Sequence, residues 1–418
     1  MTTKICMLSA RFWPYFPRYG TRHPLALAEA LVESGYEVVV VTSFPKNIDG
    51  TTPKRYRGKL VTQEKLGEIE IIRVKVLPFN RIGLIRKLIF NLTFMVASLL
   101  AIPFIRGVDV IFGVDPDAPF LLIPGLVYSR LAHSRYLLLV TDLWPNVVFD
   151  YGVVTSSLLK KMLTMVTTLS YRLADRILTI TDRLKEGLLQ HNVPDDKIDI
   201  AELGVDTSVF HPIQLSKNDL IEMAFPHTEA RFIVLYSGSL SIVYDFNNLL
   251  EAAALLEDNR DIVFIIRGHG EMKHHILSVI SGRRLKNVFV RGVVPDIETV
   301  VKYINHASVC VVPLAGSSSE DITHPSKVFE FWACKKPTIV CSRGELANLV
   351  ESTGSGIAVD VGDPKLLAEA IAYLYRHPEE SEEMGMRGLV HVDRRYSKQV
   401  LRKKMGRLIG DMVKEGGE

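Results

Sequence analysis

Lys327 and Glu330 stand three residues apart at the opening of an apolar stretch, THPSKVFEFWACKKPTIV, which spans residues 323–340. A lysine can neutralise phosphate charge, and a carboxylate can accept hydrogen bonds from two neighbouring hydroxyl groups. The same spacing also suits an exposed ion pair one helical turn apart, worth about 0.2–0.5 kcal/mol. Spacing alone favours the ion pair. Pro325, which suits a helix start, and the strand-like VCVVPL before the stretch favour a binding site.

Four short loops, each with a glycine or a proline, follow predicted strands and precede predicted helices. They are RYGTR (18–22), SGSLS (237–241), RGHGE (267–271) and HPSK (324–327). Glycine lets a ligand approach the backbone, and the free N–H groups at a helix start attract an anion. Phosphate binding is the chemistry that these loops share.

Several other kinds of site are not indicated. Gly58-Lys59 lacks the other residues of a P-loop, and IIRGHGEMK lacks the third glycine of a dinucleotide fingerprint. Asp115-Pro116-Asp117 has the D-x-D form of a metal–diphosphate site, but ordinary turn chemistry is the favoured interpretation. His274-His275 has no third ligand nearby in the sequence, so a surface pair is favoured and no metal site is expected.

The composition is that of a folded α/β protein. The 418 residues are 47% hydrophobic and 23% charged, and this length exceeds one ordinary core, so we expect two domains. The net charge of +3 is too small for a nucleic-acid-binding surface, so no nucleic acid partner is expected. Cys6, Cys310, Cys334 and Cys341 lie in apolar segments without CxxC spacing, which predicts buried thiols in a reducing compartment.

Strand-like and helix-like segments alternate along the chain in two blocks. In the first block, KICMLS, PLALAEALVES and YEVVVVTS form a βαβ unit, with Gly35 at the end of the helix. RFIVLYSGS begins the second block. This alternation predicts two doubly wound α/β domains with parallel sheets. Such sheets bind ligands at the carboxyl ends of their strands, here in a cleft between the two domains.

Weak periodicity and two prolines mark residues 207–230 as the linker between the blocks. The expected domains are therefore residues 1–206 and residues 231–396. Residues 397–416 form a basic, helix-like segment, which we expect to pack back on the N-terminal domain.

One apolar segment raises the question of a membrane. Residues 88–105 carry no charge, and arginines and a lysine flank them within residues 81–106. The length is at the ~18-residue minimum for a spanning helix, and Asn91 and Pro103 weaken that interpretation. A buried core helix is the first expectation, a helix in the membrane surface is close behind, and a true span is the weakest. No long apolar run opens the sequence, so no secretory signal is expected.

Motifs through nearly the whole chain resemble those of a known family. They are the loop with Pro17, Gly20 and Arg22, GYEVVVVT (35–42), TDLWP (141–145), SYRLADRILTIT (170–181), GVDTSVF (204–210), SGSL (237–240), GHGE (268–271) and the order PSK-x-x-E-x-x-A-x-x-K-P within residues 325–337. This order together with DLWP is specific, whereas each motif alone is weak. The chain resembles the retaining GT-B glycosyltransferases of the large glycosyltransferase family four, most of all the subgroup acting on lipid-linked polysaccharide or glycoprotein glycans.

The resemblance implies a role for each matching residue. Glu330 would accept hydrogen bonds from the ribose hydroxyls of a nucleotide sugar, while Ser326, Lys327 and the first amides of the helix would face its diphosphate. Lys327, Asp142 and Arg22 would act in catalysis. The donor-binding residues would be Glu330, Ser326, Lys327, Gly238, Ser239, Arg267, Gly268, His269, Gly270, Asp321 and Gly20. The acceptor side would comprise Asp142, Trp144 and Asp115.

The sequence departs from the family pattern at several positions. Ile322 stands where a second glutamate is common, with Glu320 and Asp321 beside it as candidate replacements. Ser239 and Tyr244 occupy the positions of a basic pair in the loop after the first strand of the second domain. Another basic residue must then neutralise the diphosphate. The candidates, in order, are Lys327, Arg22, Arg267 and Arg291.

Simpler interpretations stay open for three of these residues. Trp144 could be plain core, because it follows a buried strand. Arg267 and Arg291 each end a predicted strand, so either could be a solvated charge at the rim of the sheet.

The resemblance implies a retaining, metal-independent glycosyltransferase of the hexosyl-transfer type with no cofactor. Its donor would be a nucleotide-diphosphate sugar, bound by the C-terminal domain, and its acceptor a lipid-linked glycan, bound by the N-terminal domain. The basic-flanked segment 81–106 would make the protein peripheral on the inner, cytoplasmic face of the cell membrane. Two alternatives remain: a nucleotide-sugar epimerase of the same fold, and a non-catalytic member that binds sugar nucleotides or membrane lipid as a regulator.

Overall fold

The computed structural model of the chain describes residues 2–13, 22–46, 51–77, 84–114, 118–146, 149, 154–216, 232–294, 296–316 and 324–416. The chain forms two compact units. The first comprises Met1–Leu203 and Lys398–Glu418, and the second comprises Gly204–Ser397.

The first unit is built on an eight-stranded sheet in the order β3-β4-β2-β1-β5-β6-β7-β8. Its strands are β1 (Lys4–Leu8), β2 (Glu37–Ser43), β3 (Val61–Leu66), β4 (Ile69–Val74), β5 (Val110–Gly113), β6 (Arg135–Val140), β7 (Arg176–Thr179) and β8 (Ile198–Ile200). All neighbouring strands are parallel except β3 and β4. Valine and isoleucine are common in β2, β4 and β5 because they suit a pleated, buried surface.

Helices cover this sheet. They are α1 (Arg22–Glu33), α2 (Leu84–Ala97), α3 (Leu122–Ala132), α4 (Ser157–Leu173), α5 (Asp182–Gln190) and the C-terminal α13 (Lys398–Gly416). Thr181 caps α5, since its hydroxyl accepts a hydrogen bond from the Leu184 amide at 3.1 Å. One buried cluster joins α1 and α13 to the sheet, and it includes Leu27, Leu31, Val40, Val110, Met405 and Ile409.

The antiparallel pair of β3 and β4 departs from the all-parallel sheet that the sequence predicts. Gly67 and Glu68 connect the two strands. Gly67 has a φ of 58°, which glycine adopts without the steric penalty of a side chain. Arg73 of β4 is fully buried and donates to the Glu64 carboxylate of β3 at 2.8 Å, so an ion pair reinforces the backbone ladder of the hairpin.

The second unit contains a six-stranded parallel sheet in the order β11-β10-β9-β12-β13-β14. Its strands are β9 (Phe232–Ser239), β10 (Ile262–His269), β11 (Val288–Arg291), β12 (Val309–Pro313), β13 (Thr338–Cys341) and β14 (Gly356–Val359). Its helices are α6 (Phe246–Leu255), α7 (Lys273–Arg283), α8 (Ile297–His306), α9 (Lys327–Ala333), α10 (Glu345–Thr353), α11 (Pro364–Arg376) and α12 (Pro378–Arg395). Asp245, Asp296 and Asp363 cap α6, α8 and α11 through bonds to first-turn amides.

Both faces of the six-stranded sheet are buried, which explains the continuous apolar runs of its strands. Leu235 and Val312 belong to one core cluster, whereas Val234 and Val311 belong to another. Successive side chains of a strand point to opposite faces, so a strand covered on both faces needs apolar residues at every position. The two doubly wound α/β units confirm the fold class that the sequence predicts.

The division of the chain differs from the predicted domains at the end of the first block. Val205 donates its amide to the Tyr396 carbonyl at 2.7 Å, and Phe210 is buried in a core cluster of the second unit. Residues 204–216 therefore belong to the second unit and not to the first domain or a free linker. The rest of the predicted linker, residues 217–230, lies outside the described residues.

The C-terminal helix α13 packs on the first unit. Lys398 lies 2.9 Å from a carboxylate oxygen of both Glu29 and Glu33, and the Tyr36 hydroxyl donates to the Gly406 carbonyl at 2.9 Å. Met405 is fully buried in the cluster that α13 shares with α1. The chain therefore returns to its first unit to complete the cover on one face of the eight-stranded sheet.

Helix α2 and the 3-10 segment that follows it, Ser98–Phe104, have one buried and one exposed face. Phe90 and Phe94 are buried, whereas Leu92 and Val96 are exposed. The core-helix interpretation therefore describes one face of α2 only. In the part of the chain that the structure describes, no helix combines the length and hydropathy needed to cross a bilayer.

We expect Met405→Ala to lower the free energy of unfolding of the first unit by about 2–5 kcal/mol, because it empties a buried site between α13 and α1. Met386→Ala in α12 is the matched control, since Met386 is exposed, and it should change stability by less than about 0.5 kcal/mol. Urea unfolding followed by circular dichroism measures both. Equal, small effects would mean that α13 does not pack on this unit in solution.

Candidate functional site

The six-stranded sheet has a switch point between β9 and β12, because the chain winds outward from β9 to β11 and then crosses to β12. Ligands of such sheets bind outside the carboxyl ends of the strands at this point. The loops after β9 and β12 are joined there by backbone hydrogen bonds. Asp245 donates to the Pro313 carbonyl at 2.8 Å, and Ala315 donates to the Val243 carbonyl at 2.9 Å.

The ammonium group of Lys327 is buried at this switch point. Lys327 begins α9 and its residue is only 8% exposed. Its Nζ donates to the Tyr236 hydroxyl at 3.0 Å and lies 4.2 Å from the ring centroid of Tyr236 and 3.7 Å from that of Tyr244. Aromatic faces attract a cation through their quadrupole, so the two rings replace part of its lost hydration. The exposed ion pair with Glu330 that the spacing alone favours is therefore wrong.

Tyr236 and Tyr244 are themselves held in place. Their rings pack edge to face with each other and with Phe246, the first residue of α6. The Tyr236 hydroxyl also donates to the Ser239 carbonyl. Burial raises the pKa of Tyr236 well above its ordinary value, so this hydroxyl stays neutral beside the lysine.

Burial lowers the pKa of Lys327 from 10.5 to about 7, and the negative charge of Glu330 opposes this shift without cancelling it. The group therefore exchanges its proton near neutral pH. An anion placed against the ammonium would favour the charged form and raise the pKa again. In the described part of the chain, the Lys327 ammonium contacts the Tyr236 hydroxyl and two aromatic rings, so its immediate surroundings are mainly aromatic.

Gly238 leaves room for this ammonium. A Cβ added at Gly238 would lie 2.5 Å from Nζ of Lys327, well inside van der Waals contact. Any side chain at position 238 would therefore displace the lysine. The structure thus brings the SGSLS loop and Lys327 together, and their predicted role in donor binding stays a prediction.

The glycines of the RGHGE loop have a different purpose. A Cβ at Gly268 would lie 1.8 Å from the Gly238 carbonyl oxygen, and a Cβ at Gly270 would lie 2.1 Å from that of Leu240. Leu240 also donates to the His269 carbonyl at 2.9 Å. These glycines let the loops after β9 and β10 pack backbone to backbone, so packing accounts for them without a ligand. His269 itself is exposed.

Arg267 is not the solvated charge that one interpretation of the sequence allows. It is 2% exposed, donates to the Ser237 hydroxyl at 2.9 Å and places its guanidinium 5.5 Å from the ring centroid of Tyr303. It pairs in register with Ser237 on β9 and with Arg291 on β11. Arg291 is only partly buried. Arg267 is therefore a buried residue at the carboxyl end of β10, whereas Arg291 is partly accessible at the end of β11.

The amides at the start of α9 are partly engaged. Val328 donates to the Pro325 carbonyl at 3.0 Å, and Phe329 and Glu330 donate to the Ser326 carbonyl at 3.1 and 3.3 Å. These three amides are engaged within the turn, and the expectation that the first amides of the helix face a diphosphate stays a prediction. The Lys327 side chain is thus the main positive group that this segment presents. Glu330 and Ser326 are partly buried one turn or less from it.

In the first unit, two predicted residues follow β6. Asp142 is partly buried directly after the strand, at its carboxyl end. Trp144 is buried in a small cluster with Val154 and packs edge to face with Phe120, so it is core as the simpler interpretation proposes. Its amide donates to the Tyr171 hydroxyl at 3.2 Å. Trp144 therefore offers little surface to an acceptor.

The remaining predicted residues cannot be placed in the site. Gly20, Asp115 and Asp321 lie outside the described residues, as do Glu320 and Ile322. Arg22 is the first residue of α1, and only its backbone is described. In the described part of the chain, no three His, Cys, Asp or Glu side chains come together as a metal site would require. The expected independence from metal stays a prediction.

Two residues of the site were not predicted as such. The Tyr236 hydroxyl accepts a hydrogen bond from Lys327, and the Tyr303 ring lies against the Arg267 guanidinium. Tyr244 is predicted only as a departure from the family pattern, yet its ring lies against the lysine. A signal for Tyr236 is available in hindsight, because an aromatic residue directly precedes the glycine loop in FIVLYSGS.

Both units match glycosyltransferase families. Residues 20–204 match the family described as "Glycosyl transferase 4-like domain", and residues 231–377 match the family described as "Glycosyl transferases group 1". Together the two matched ranges cover most of the chain.

Curated proteins include similar sequences. The chain is 25% identical over 226 residues to the D-inositol 3-phosphate glycosyltransferase of Paenarthrobacter aurescens. This alignment covers 53% of each of the two chains. It is 25% identical over 166 residues to the chitobiosyldiphosphodolichol beta-mannosyltransferase of Yarrowia lipolytica, covering 37% of this chain and 35% of that protein. The chain spans about half the length of several curated relatives that it matches.

A solved structure shares the fold over almost the full length. HepE of Anabaena, determined in complex with UDP-glucose, aligns with a TM-score of 0.72 and 14% identity over 98% of this chain and 99% of that one. At this identity the similarity shows the fold alone. The two matched domain families and the doubly wound fold of both units identify this chain as a member of the GT-B glycosyltransferases.

Proposed function

We propose that this protein transfers a sugar from a nucleotide-diphosphate sugar to a lipid-linked glycan acceptor with retention of anomeric configuration. The observation that carries the proposal is the buried ammonium of Lys327, held by Tyr236 and Tyr244 at the switch point of the second unit. Burying a charge costs stability, and groups with perturbed pKa values cluster at functional sites, which supports an anionic ligand here. A diphosphate fits this requirement.

The second unit binds the donor in this proposal. Lys327 neutralises the diphosphate, and Gly238 and Ser239 let the phosphates approach the backbone of the adjoining loop. Glu330, one turn further along α9, accepts hydrogen bonds from the ribose hydroxyls. The UDP-glucose bound to HepE, a protein of the same fold, supports a nucleotide sugar as the donor.

The chemical demand of the reaction falls on the leaving diphosphate. Negative charge grows on this group as the sugar develops oxocarbenium character, and a fixed cation stabilises that charge more in the transition state than in the ground state. Lys327 binds its proton more tightly as this charge grows. We propose no obligatory metal, because the lysine supplies the positive charge, and no cofactor.

The acceptor side belongs to the first unit in this proposal, with Asp142 as the candidate residue near the reacting hydroxyl. The Yarrowia relative is named for transfer to chitobiosyldiphosphodolichol, which is a lipid-linked acceptor. Residues 81–106 carry basic flanks and an exposed apolar face on α2, which supports a peripheral contact with the inner face of the cell membrane. A lipid-linked acceptor would be encountered at such a surface.

Incubation with UDP-, GDP- and dTDP-sugars, with and without a polyprenyl-diphosphate glycan, tests the activity. We expect release of the nucleoside diphosphate that depends on the acceptor, and a product with the donor's anomeric configuration by NMR. Isomerisation of the donor without acceptor would instead identify an epimerase. Binding without turnover for every donor would show a non-catalytic protein and contradict the proposal.

We expect Lys327→Met to weaken UDP binding about 10- to 100-fold, because it removes a charge-assisted contact with the diphosphate. Glu330→Ala should weaken it about tenfold through loss of the ribose contact. Lys336→Met is the matched control, because Lys336 is a partly buried lysine with a lowered pKa but donates to the Asn305 carbonyl away from the site. Unchanged affinity in both site variants would show that the site is misassigned.

The same titration reports on the proton of Lys327. At about pH 8 the lysine of the free protein is mostly neutral, since its pKa is about 7, and bound diphosphate raises that pKa. UDP binding should then take up as much as about one proton, visible by calorimetry in two buffers of different ionisation enthalpy. Uptake should vanish in Lys327→Met and persist in Lys336→Met.

Lys327→Met should also stabilise the protein near pH 7, by about 1–3 kcal/mol. The buried lysine is about half protonated there, so it either holds its charge away from water or gives up a proton that the unfolded chain binds. The unfolded lysine, with a pKa of 10.5, binds its proton more tightly than the folded one, with a pKa of about 7. Wild-type stability relative to the variant therefore rises with pH between these values. Urea unfolding at pH 7 and about pH 9 measures the difference, with exposed Lys365→Met as control. A pH-independent difference would mean that Lys327 is not buried as described.

A further inference from the structure

Helix α4 exposes apolar side chains and buries polar ones. Its exposed large hydrophobic residues are Leu158, Leu159, Met162, Met165, Val166, Leu169 and Leu173. Leu158 is 69% exposed and Met165 is 66% exposed. Thr167, Ser170 and Tyr171, in contrast, are fully buried. This arrangement is the reverse of a surface helix of a protein that meets only water.

The exposed residues form one continuous stripe. Positions 158, 162, 165, 169 and 173 follow the three- and four-residue steps that place side chains on one side of a helix. Single exposed leucines are ordinary, but a stripe of seven large apolar residues on one helix marks a surface that is covered by something else. We call these seven residues the α4 stripe.

A second apolar surface lies close to the α4 stripe. Helix α2 exposes Ile89, Leu92 and Val96, and the segment after it exposes Leu100 and Phe104. The short segment Ala118–Leu121 contacts both α2 and α4, so the two helices lie on the same part of the first unit. The apolar surface thus extends across two neighbouring elements.

The described segments that form this surface carry charge of one sign. Residues 84–106, 118–134 and 154–174 contain no aspartate or glutamate, although the whole chain has 47 acidic residues against 50 basic ones. Arg106, Arg130, Lys161 and Arg172 are exposed within these segments. The surface therefore combines an apolar centre with basic residues and repels other cations.

This charge pattern decides what covers the stripe. In a two-fold dimer the same patch faces itself, so the basic residues of one copy would meet those of the other. An anionic bilayer instead offers acyl chains to the apolar side chains and phosphate groups to the arginines and the lysine. An anionic bilayer thus complements both the apolar side chains and the basic side chains of this surface.

We propose that the α4 stripe and the exposed face of α2 form a single docking face that lies in the interface of an anionic membrane. The proposal deepens the membrane contact proposed for residues 81–106 and rests on it for α2. The contribution of α4 stands on its own stripe and requires neither donor nor acceptor chemistry.

Docking through α4 would tie the membrane to the acceptor side of the first unit. The Tyr171 hydroxyl on the buried side of α4 accepts a hydrogen bond from the Trp144 amide at 3.2 Å, and Leu163 packs against the cluster that contains Trp144. Trp144 lies two residues after Asp142. The segment with the candidate acceptor residue is thus fastened to the helix that meets the bilayer.

Flotation with vesicles tests the docking face. We expect the full-length protein to float with vesicles of phosphatidylglycerol and phosphatidylcholine and not with phosphatidylcholine alone. Met165→Glu with Leu169→Glu should weaken this binding at least about tenfold, because both residues would leave the acyl region. Leu60→Glu with Leu77→Glu is the matched control, since both leucines are exposed in the same unit outside the stripe and should have no effect.

A second pair of variants tests the charges. Lys161→Gln with Arg172→Gln should weaken binding to the anionic vesicles about tenfold and reduce its dependence on salt. If these substitutions have no effect, the basic residues do not face the lipid and the choice of an anionic bilayer is overturned.

The arms of the experiment separate the claims. UDP binding, measured on every variant, verifies that the variant is folded. Met162→Gln with Met165→Gln is a milder variant of the α4 stripe. If the donor proposal is wrong, the wild type also fails to bind UDP, whereas its flotation is unaffected. If Leu92→Glu with Val96→Glu abolishes flotation while the stripe variant floats normally, α4 is not part of the face. If the wild type does not float, or forms a dimer that the stripe variant dissociates, the proposal is overturned.

Discussion

A parallel sheet must be covered on both faces, and most of this structure follows from that requirement. The strands of the second unit alternate between two core clusters, so residues 232–236 of β9 and residues 309–312 of β12 are apolar and buried. In the first unit, α13 returns from the far end of the chain to cover part of the eight-stranded sheet. With the faces closed, the carboxyl ends of the strands remain the place where a ligand can reach the backbone.

Lys327 shows how that opening is used. The loop after β9 brings Tyr236 and Tyr244 to the ammonium, and Gly238 leaves the space that it fills. The tyrosines hold the cation through ring faces and one hydroxyl, while its burial lowers its pKa to about 7. Tyr244 stands at one of the two positions where the family resemblance implies a basic residue. In this chain, the start of α9 supplies the cation, Lys327, and the ring of Tyr244 helps to position it.

In the first unit, helix α4 turns apolar side chains toward the surface and polar ones toward the core. Helix α4 buries the hydroxyl-bearing Thr167, Ser170 and Tyr171 against the protein, and it places most of its leucines and methionines outward. A fold that had only water around it would reverse these faces. The outward stripe adds nothing to the core of the unit, and the proposed membrane contact accounts for it.

The sequence by itself determined the alternation of strands and helices, the two domains and the position of the glycine loops, because periodicity, capping and turn chemistry are local properties. It did not determine the hairpin of β3 and β4, the boundary at residue 204, or the reason for Gly268 and Gly270, each of which depends on a neighbouring segment. Lys327 is the clearest case. Its spacing from Glu330 indicates an exposed pair, yet its hydrogen-bond partner Tyr236 is 91 residues away in the chain. Only the tertiary structure decided that this lysine is buried, because burial and the pKa that follows from it depend on segments that the fold alone brings together.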